Sequence, residues 1–229
     1  MKNTVFVLLL AILFSCGKNK DLTVKVDVKG LKKGTIYLKK AQDTTILTVD
    51  SLIVHGEEPI ELYSELDSPE VFFLQLDKNS KEDEVITFFA EKGITEVSTN
   101  VKNFGLDAKI KGSKQQVALE EYMEVMSRFN DRNLNLIKER FDALKTNDSA
   151  LIRSNEKAKN ALLKNKYLYT VNFAMKNNDN EVAPYIVLTE IADAQIKWLD
   201  TVNNALTPKV KESKYGKKLE DFIAERKKS

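Results

Sequence analysis

Leu22-Thr23-Val24-Lys25-Val26-Asp27-Val28-Lys29-Gly30-Leu31-Lys32-Lys33-Gly34-Thr35-Ile36-Tyr37-Leu38 decides the fold of the first half of the chain. Apolar and polar residues alternate from Leu22 to Val28, the period-2 signature of a strand with one buried face. Gly30 and Lys32-Lys33-Gly34 punctuate the chain, and Thr35-Ile36-Tyr37-Leu38 reads as the returning partner. Further β-rich runs cover residues 46–54, 60–66, 71–76, 85–90 and 94–101, broken by Gly56, Pro59, Pro69, the segment 77–81 and Gly93. Short strands at roughly 8–12-residue spacing predict an antiparallel β-sandwich or a partly closed barrel.

The period changes at Gly112-Ser113. Ser113-Lys114-Gln115-Gln116 fits a capping box, with Ser113 accepting from a backbone N–H and Gln116 reaching back. Beyond it Leu119, Tyr122, Met126, Phe129, Ile137, Phe141 and Leu144 recur at mostly three- or four-residue steps, as on one helix face, with a bend expected near 130–133. A second helix starts near Asp148-Ser149, carries Leu163, Tyr167, Val171 and Ala174, and ends at Asn177-Asn178. A third starts near Pro184 and carries Tyr185, Leu188 and Ile191 inward; shorter helices follow at 196–206 and from Ser213, with Thr207-Pro208 as cap and first helical residue. The expected fold class is α+β: a β domain over 22–112, then a helical array over 113–229.

Ahead of both lies MKNTVFVLLLAILFSC, residues 1–16. Its apolar run, 5–14, is far short of the roughly 20 residues that span a bilayer and fits the roughly 7–15-residue core of a secretory signal. Ser15 before Cys16 resembles a bacterial lipobox, in which the cysteine thiol takes a diacylglyceryl group and becomes the new N-terminus. Cleavage would remove signal peptide 1–15 and leave 16–21 as a lipidated tether, anchored stably because two or three acyl chains exceed the hold of one. Cys16 is the only cysteine of 229 residues, so neither an internal disulfide nor a CxxC redox pair exists. With 36 Lys+Arg against 34 Asp+Glu, no polyanion is an obvious partner, and nucleic-acid binding is not expected.

A lipobox, then LTVKVDVKGLKKGTIYLKK, a strand pair around TVDSLIVHG and a KGS junction into helices resemble the domain of unknown function 4369, found at the N-terminus of thioredoxin-like lipoproteins of Bacteroidetes. VAPYIVLTEIAD and VNNALTPKVKESKYGKKLEDFI resemble the helical segment that leads into the thioredoxin-like domain of those proteins. The resemblance covers most of 22–225 and names no catalytic residue. The chain stops where the thioredoxin-like domain would begin, so the family's redox cysteines have no positions here to carry over to.

Chemistry-bearing residues are sparse. His55, the only histidine, sits beside the turn glycine Gly56 and reads as a surface residue; without a second His or Cys no His/Cys zinc site assembles. Lys81-Glu82-Asp83-Glu84 lacks the layout of a calcium loop and reads as a solvated hairpin tip. Glu120, Glu121 and Glu190 read as helix-surface charges. No GxSxG elbow, P-loop or GxGxxG occurs, and no cofactor is implied.

Two aromatic pairs, Phe72-Phe73 and Phe88-Phe89, carry more information. Adjacent strand side chains point to opposite faces, so one ring of each pair enters the sandwich core and the other needs a separate cover. The helical half is the expected cover; the alternative makes these rings candidate partner-binding aromatics in a groove for an envelope protein or peptide. Trp198 reads as a core anchor, with an interface role as its alternative. The expected function is a lipid-anchored binding or accessory protein of the cell envelope, on the periplasmic side of the outer membrane and without catalytic activity of its own. The alternative is an envelope enzyme with a carboxylate-based site between the two halves.

Overall fold

In the computed structural model, which describes residues 20–56, 59–78 and 84–228, the alternating stretch is strand β1 (Leu22–Lys29). β2 (Lys33–Gln42), β3 (Thr45–His55), β4 (Ile60–Ser64), β5 (Glu70–Asp77), β6 (Glu84–Ala90), β7 (Gly93–Asn100) and β8 (Lys109–Lys111) follow. The signal segment 1–15, Cys16, tether residues 17–19 and Lys81-Glu82-Asp83 lie outside the described residues. Among the described residues the strands form two four-stranded sheets, ordered β4-β1-β7-β8 and β3-β2-β5-β6. The inward residues of both sheets share one core: Leu22, Val24 and Val26 of β1 meet Ile36 and Leu38 of β2, Leu62 of β4 and Phe72 and Leu74 of β5. That is a β-sandwich, as the alternation predicts.

One pairing departs from the antiparallel expectation. β1 runs parallel to β7 from Leu22↔Gly93 to Lys29↔Asn100, so the first sheet is mixed. Local patterning carries no mark of this, because the partners lie some 70 residues apart in the chain. β1 still alternates cleanly, since only its inner face is covered by the second sheet.

At the end of β8 Gly112 has φ +96°, and a Cβ there would stand 2.1 Å from the Ile94 carbonyl oxygen, so only glycine fits where strand turns to helix. Helices α1 (Lys114–Lys145), α2 (Ser149–Lys176), α3 (Val182–Glu190), α4 (Ile196–Ala205), α5 (Pro208–Lys211) and α6 (Lys214–Arg226) follow. The starts of α1, α2 and α6 match the cap residues in the sequence. Ser113 Oγ accepts from the Gln116 N–H, Asp148 from Ala150 and Leu151, and Ser213 from Gly216. Pro208 takes the first turn of α5, where its missing N–H costs nothing.

The helices enclose a second core, built from Tyr122, Val171, Ile186, Val187, Leu199 and Leu219, and the outer face of the second sheet joins it through Val71 and Phe89. α1 is one continuous helix through 130–133. Its distal half also buries a different face: Leu136 and Ala143 turn inward, whereas Ile137, Phe141 and Leu144 of the expected stripe are exposed.

Candidate binding surface

The aromatic pairs divide between the two cores. Phe72 and Phe88 stack inside the sandwich with centroids 6.1 Å apart. Phe89 points the other way and meets Tyr185 of α3 and Tyr215 of α6 edge-on, at 5.5 and 5.7 Å. Phe73 is half-buried against the same helical core. Phe72, Phe88 and Phe89 are fully buried, so they form no open groove; the sandwich covers the first two and the helices cover Phe89. Trp198 packs half-buried against the helical core.

Polar bonds lock the cover in place. The β2–β5 ladder ends at Lys40↔Phe72, and the Val71 N–H beyond it donates to the Tyr215 hydroxyl at 3.1 Å. On edge strand β6 the Phe89 N–H donates to Gln116 Oε1 at 2.8 Å. Gln116 therefore does not close the capping box. Its amide spans from sheet to helix instead and donates to Glu120. The first turn of α1 is held by Glu91, which accepts from the Lys114 N–H at 2.6 Å. Glu70, nearly buried, accepts from Lys40 of β2 at 3.0 Å and from Lys214 at the start of α6, while Lys214 also donates to the Ala41 carbonyl. A buried carboxylate with two cationic partners is a structural joint.

The remaining buried carboxylate, Glu181, accepts from Gln115 Nε2 at 2.6 Å, and burial raises its pKa above the ordinary carboxylate value. Burial likewise pushes the Tyr215 phenol well up, keeping it protonated as the acceptor for Val71. The surface carboxylates singled out in the sequence are dispersed. Glu120 bonds Gln116, Glu121 is exposed, and Glu190 pairs with Lys166 at 3.0 Å. His55 is exposed. Among the described residues no group of three His, Cys, Asp or Glu side chains could hold a metal ion.

What the joint leaves open is a groove of about 620 Å³ along its outer edge, where the β2–β3 turn faces α3 and α6. Tyr185, Leu188, Tyr215 and Phe222 make an apolar floor. Asp43, Asp221 and Glu225 stand at its rim against a single cation, Lys218. Asp43 holds φ +52° in the turn, a conformation that Asp tolerates better than most residues. Sequence reading placed Tyr185 and Leu188 in a helical core and passed over Phe222, Asp43 and Asp221 as functional candidates. Only the docking of sheet on helices brings them together.

A second cleft, of about 450 Å³, lies between β3 and β4. Several of its polar groups are already engaged: Asp50 accepts from the Ser51 and Tyr63 N–H groups, Lys40 bonds Glu70, and the Lys20 ammonium sits 3.5 Å over the Tyr63 ring.

Residues 22–119 match the model of a domain of unknown function (DUF4369). The match ends just inside α1, so most of the helical half lies beyond it. No curated protein matches the chain.

Proposed function

We propose that this chain is a lipid-anchored binding or accessory protein of the cell envelope that performs no catalysis of its own. In this reading residues 1–15 are a signal peptide, Cys16 is acylated, and the folded body hangs from the outer membrane on its periplasmic side, as in the lipoproteins the sequence resembles. The groove between the β2–β3 turn and α3/α6 is the binding surface. Its apolar floor and predominantly acidic rim suit a basic segment of an envelope protein carrying apolar side chains, by charge complementarity.

The observation that carries this proposal is the division of labour among the carboxylates. Those buried, Glu70 at the joint and Glu181 between α1 and α3, are occupied by lysine and glutamine partners, and those around the groove are exposed to water. A general acid needs a desolvated or charge-coupled carboxyl to raise its pKa, which a water-exposed rim does not provide.

Fluorescence anisotropy with a labelled peptide alternating Lys with Leu and Phe tests it. Saturable, salt-sensitive binding is expected, weakened at least tenfold by the Asp221→Lys/Glu225→Lys pair and by Phe222→Ser. Equal binding of the same peptide with Glu in place of Lys, or no effect of the charge reversal, contradicts it. The enzyme alternative has one observation in its favour, the presence of Asp43, Asp221 and Glu225 around one groove between the halves. Hydrolysis of envelope polymer that is lost in Asp43→Asn or Asp221→Asn would decide for that alternative.

A further inference from the structure

The distal part of the α1–α2 hairpin overhangs the body. Between residues 130 and 166 only Leu136, Ala143 and Asn155 are buried, all at the seam between the two helices, where Asn155 Nδ2 donates to the Leu136 carbonyl at 2.8 Å. At about 1.5 Å per residue, residues 130–145 of α1 extend about 24 Å. Along this overhang α1 exposes Leu134 (63%), Ile137 (41%), Phe141 (62%) and Leu144 (48%). At about 100° per residue these four fall within an arc of about 80°. The same spacing sets Lys138 and Lys145 along one flank of the stripe and Arg140 along the other. Glu139 falls on the far face, paired with Arg132 at 3.0 Å, and Asp142 is met by Lys145 at 3.5 Å. Residues 130–166 hold nine Lys/Arg against five Asp/Glu, a net of +4, whereas the whole chain carries +2.

We propose that this hairpin docks on an anionic lipid surface, with Leu134, Ile137, Phe141 and Leu144 entering the interface and Lys138, Arg140 and Lys145 facing the headgroups. An apolar stripe flanked by cations is the arrangement with which a helix lies in a lipid interface. No described helix is long and apolar enough to cross a membrane, so the hairpin lies on the surface. Other occupants fit less well. A second copy would bring two hairpins of net +4 together, and an acidic peptide would find a projecting ridge where it needs a groove. The proposal is independent of the peptide-binding groove and of acylation at Cys16, and it stands or falls without them.

Vesicle flotation tests it, using the full chain with Cys16→Ala so that no acyl chain contributes and any effect of residues 1–15 is common to every sample. The probes are vesicles of phosphatidylcholine alone and of an equal mixture with phosphatidylglycerol. Three cations near an anionic surface favour partition by roughly a hundredfold at low salt, decreasing as salt is added. The expected result is a preference of at least tenfold for the mixed vesicles. Lys138→Glu/Arg140→Glu should abolish that preference, and Ile137→Ser/Phe141→Ser should weaken binding tenfold or more. All four positions are exposed, so circular dichroism should find the variants folded. Equal binding to both vesicle types, a preference that Lys138→Glu/Arg140→Glu leaves unchanged, or binding that Ile137→Ser/Phe141→Ser leaves unchanged, overturns the proposal. So does a concentration-dependent dimer dispersed by Ile137→Ser/Phe141→Ser, which would assign the stripe to self-association.

Discussion

Replacing Phe89 by alanine removes the ring on which sheet and helices meet. Phe89 is fully buried and touches Tyr185 and Tyr215 edge-on at 5.5 and 5.7 Å. Burying such a side chain contributes roughly 1.5–3 kcal/mol, and each aromatic pair adds about 0.5–1.5 kcal/mol. Because the Phe89 N–H is held by Gln116 and the strand is paired to β5, the backbone has little freedom to collapse into the space. Phe→Ala in such settings costs about 3–5 kcal/mol, and about 4 kcal/mol is expected here. The assay is urea unfolding followed by circular dichroism and by Trp198 fluorescence, which reports from the helical half. Both signals should shift together, since the lost contact belongs to both halves. A loss below about 1 kcal/mol, or a fluorescence transition that moves while the circular-dichroism transition stays put, would refute the reasoning.

Tyr215→Phe keeps the ring but leaves the Val71 N–H without its acceptor, so a loss of about 1–3 kcal/mol is expected in the same assay; an unchanged midpoint counts against the bond. Glu181 binds its proton more tightly in the folded chain than in the unfolded one, because burial raises its pKa. Its contribution to stability is therefore full below the ordinary carboxylate range and fades as pH rises through the folded value. Glu181→Gln should be more stable than the parent near about pH 7, with the gain shrinking toward about pH 4; a gain that grows on acidification contradicts the sign. Cys16→Ala should leave the protein unprocessed or soluble, as no other thiol is available to accept a diacylglyceryl group. Unaltered detergent-phase partitioning and an unaltered N-terminal mass in that variant would rule out the anchor.

β1 was legible because it buries one face, whereas the three-residue β8 (Lys109–Lys111) is too short to show a period and was not read. Leu22, Val24, Val26 and Val28 point to the core and Thr23, Lys25 and Asp27 away from it, so a single local rule finds β1. The paired phenylalanines were legible for a related reason. Two adjacent large rings on a strand demand two covers, and the structure supplies the sandwich for Phe72 and Phe88 and the helices for Phe89. The parallel β1–β7 pairing had no such signature, since register between distant strands is set by packing of the whole sandwich. Along α1 the apolar spacing was read correctly, but spacing alone does not say where the body ends. Phe129 still packs on the core, whereas Phe141 stands beyond it. Gln116 was assigned to a capping box because the local motif allows it, and the edge donor of β6, remote in sequence, is its partner instead. The groove was illegible for the same reason, with Asp43 in a β-turn and Asp221 and Phe222 on the last helix.

Both the fold and the proposed binding surface depend on sheet and helices forming one body. The most direct measurement compares the full chain with a fragment ending at Gly112, by binding of a hydrophobic dye and by anisotropy with the basic apolar peptide. The fragment uncovers Val71, Phe73 and Phe89 and lacks the α3 and α6 side of the groove. It is expected to aggregate or to bind the dye far more strongly than the full chain does, and to lose the peptide that the full chain binds. A fragment that is soluble, folded and dye-silent would contradict the claim and make the two halves independent units.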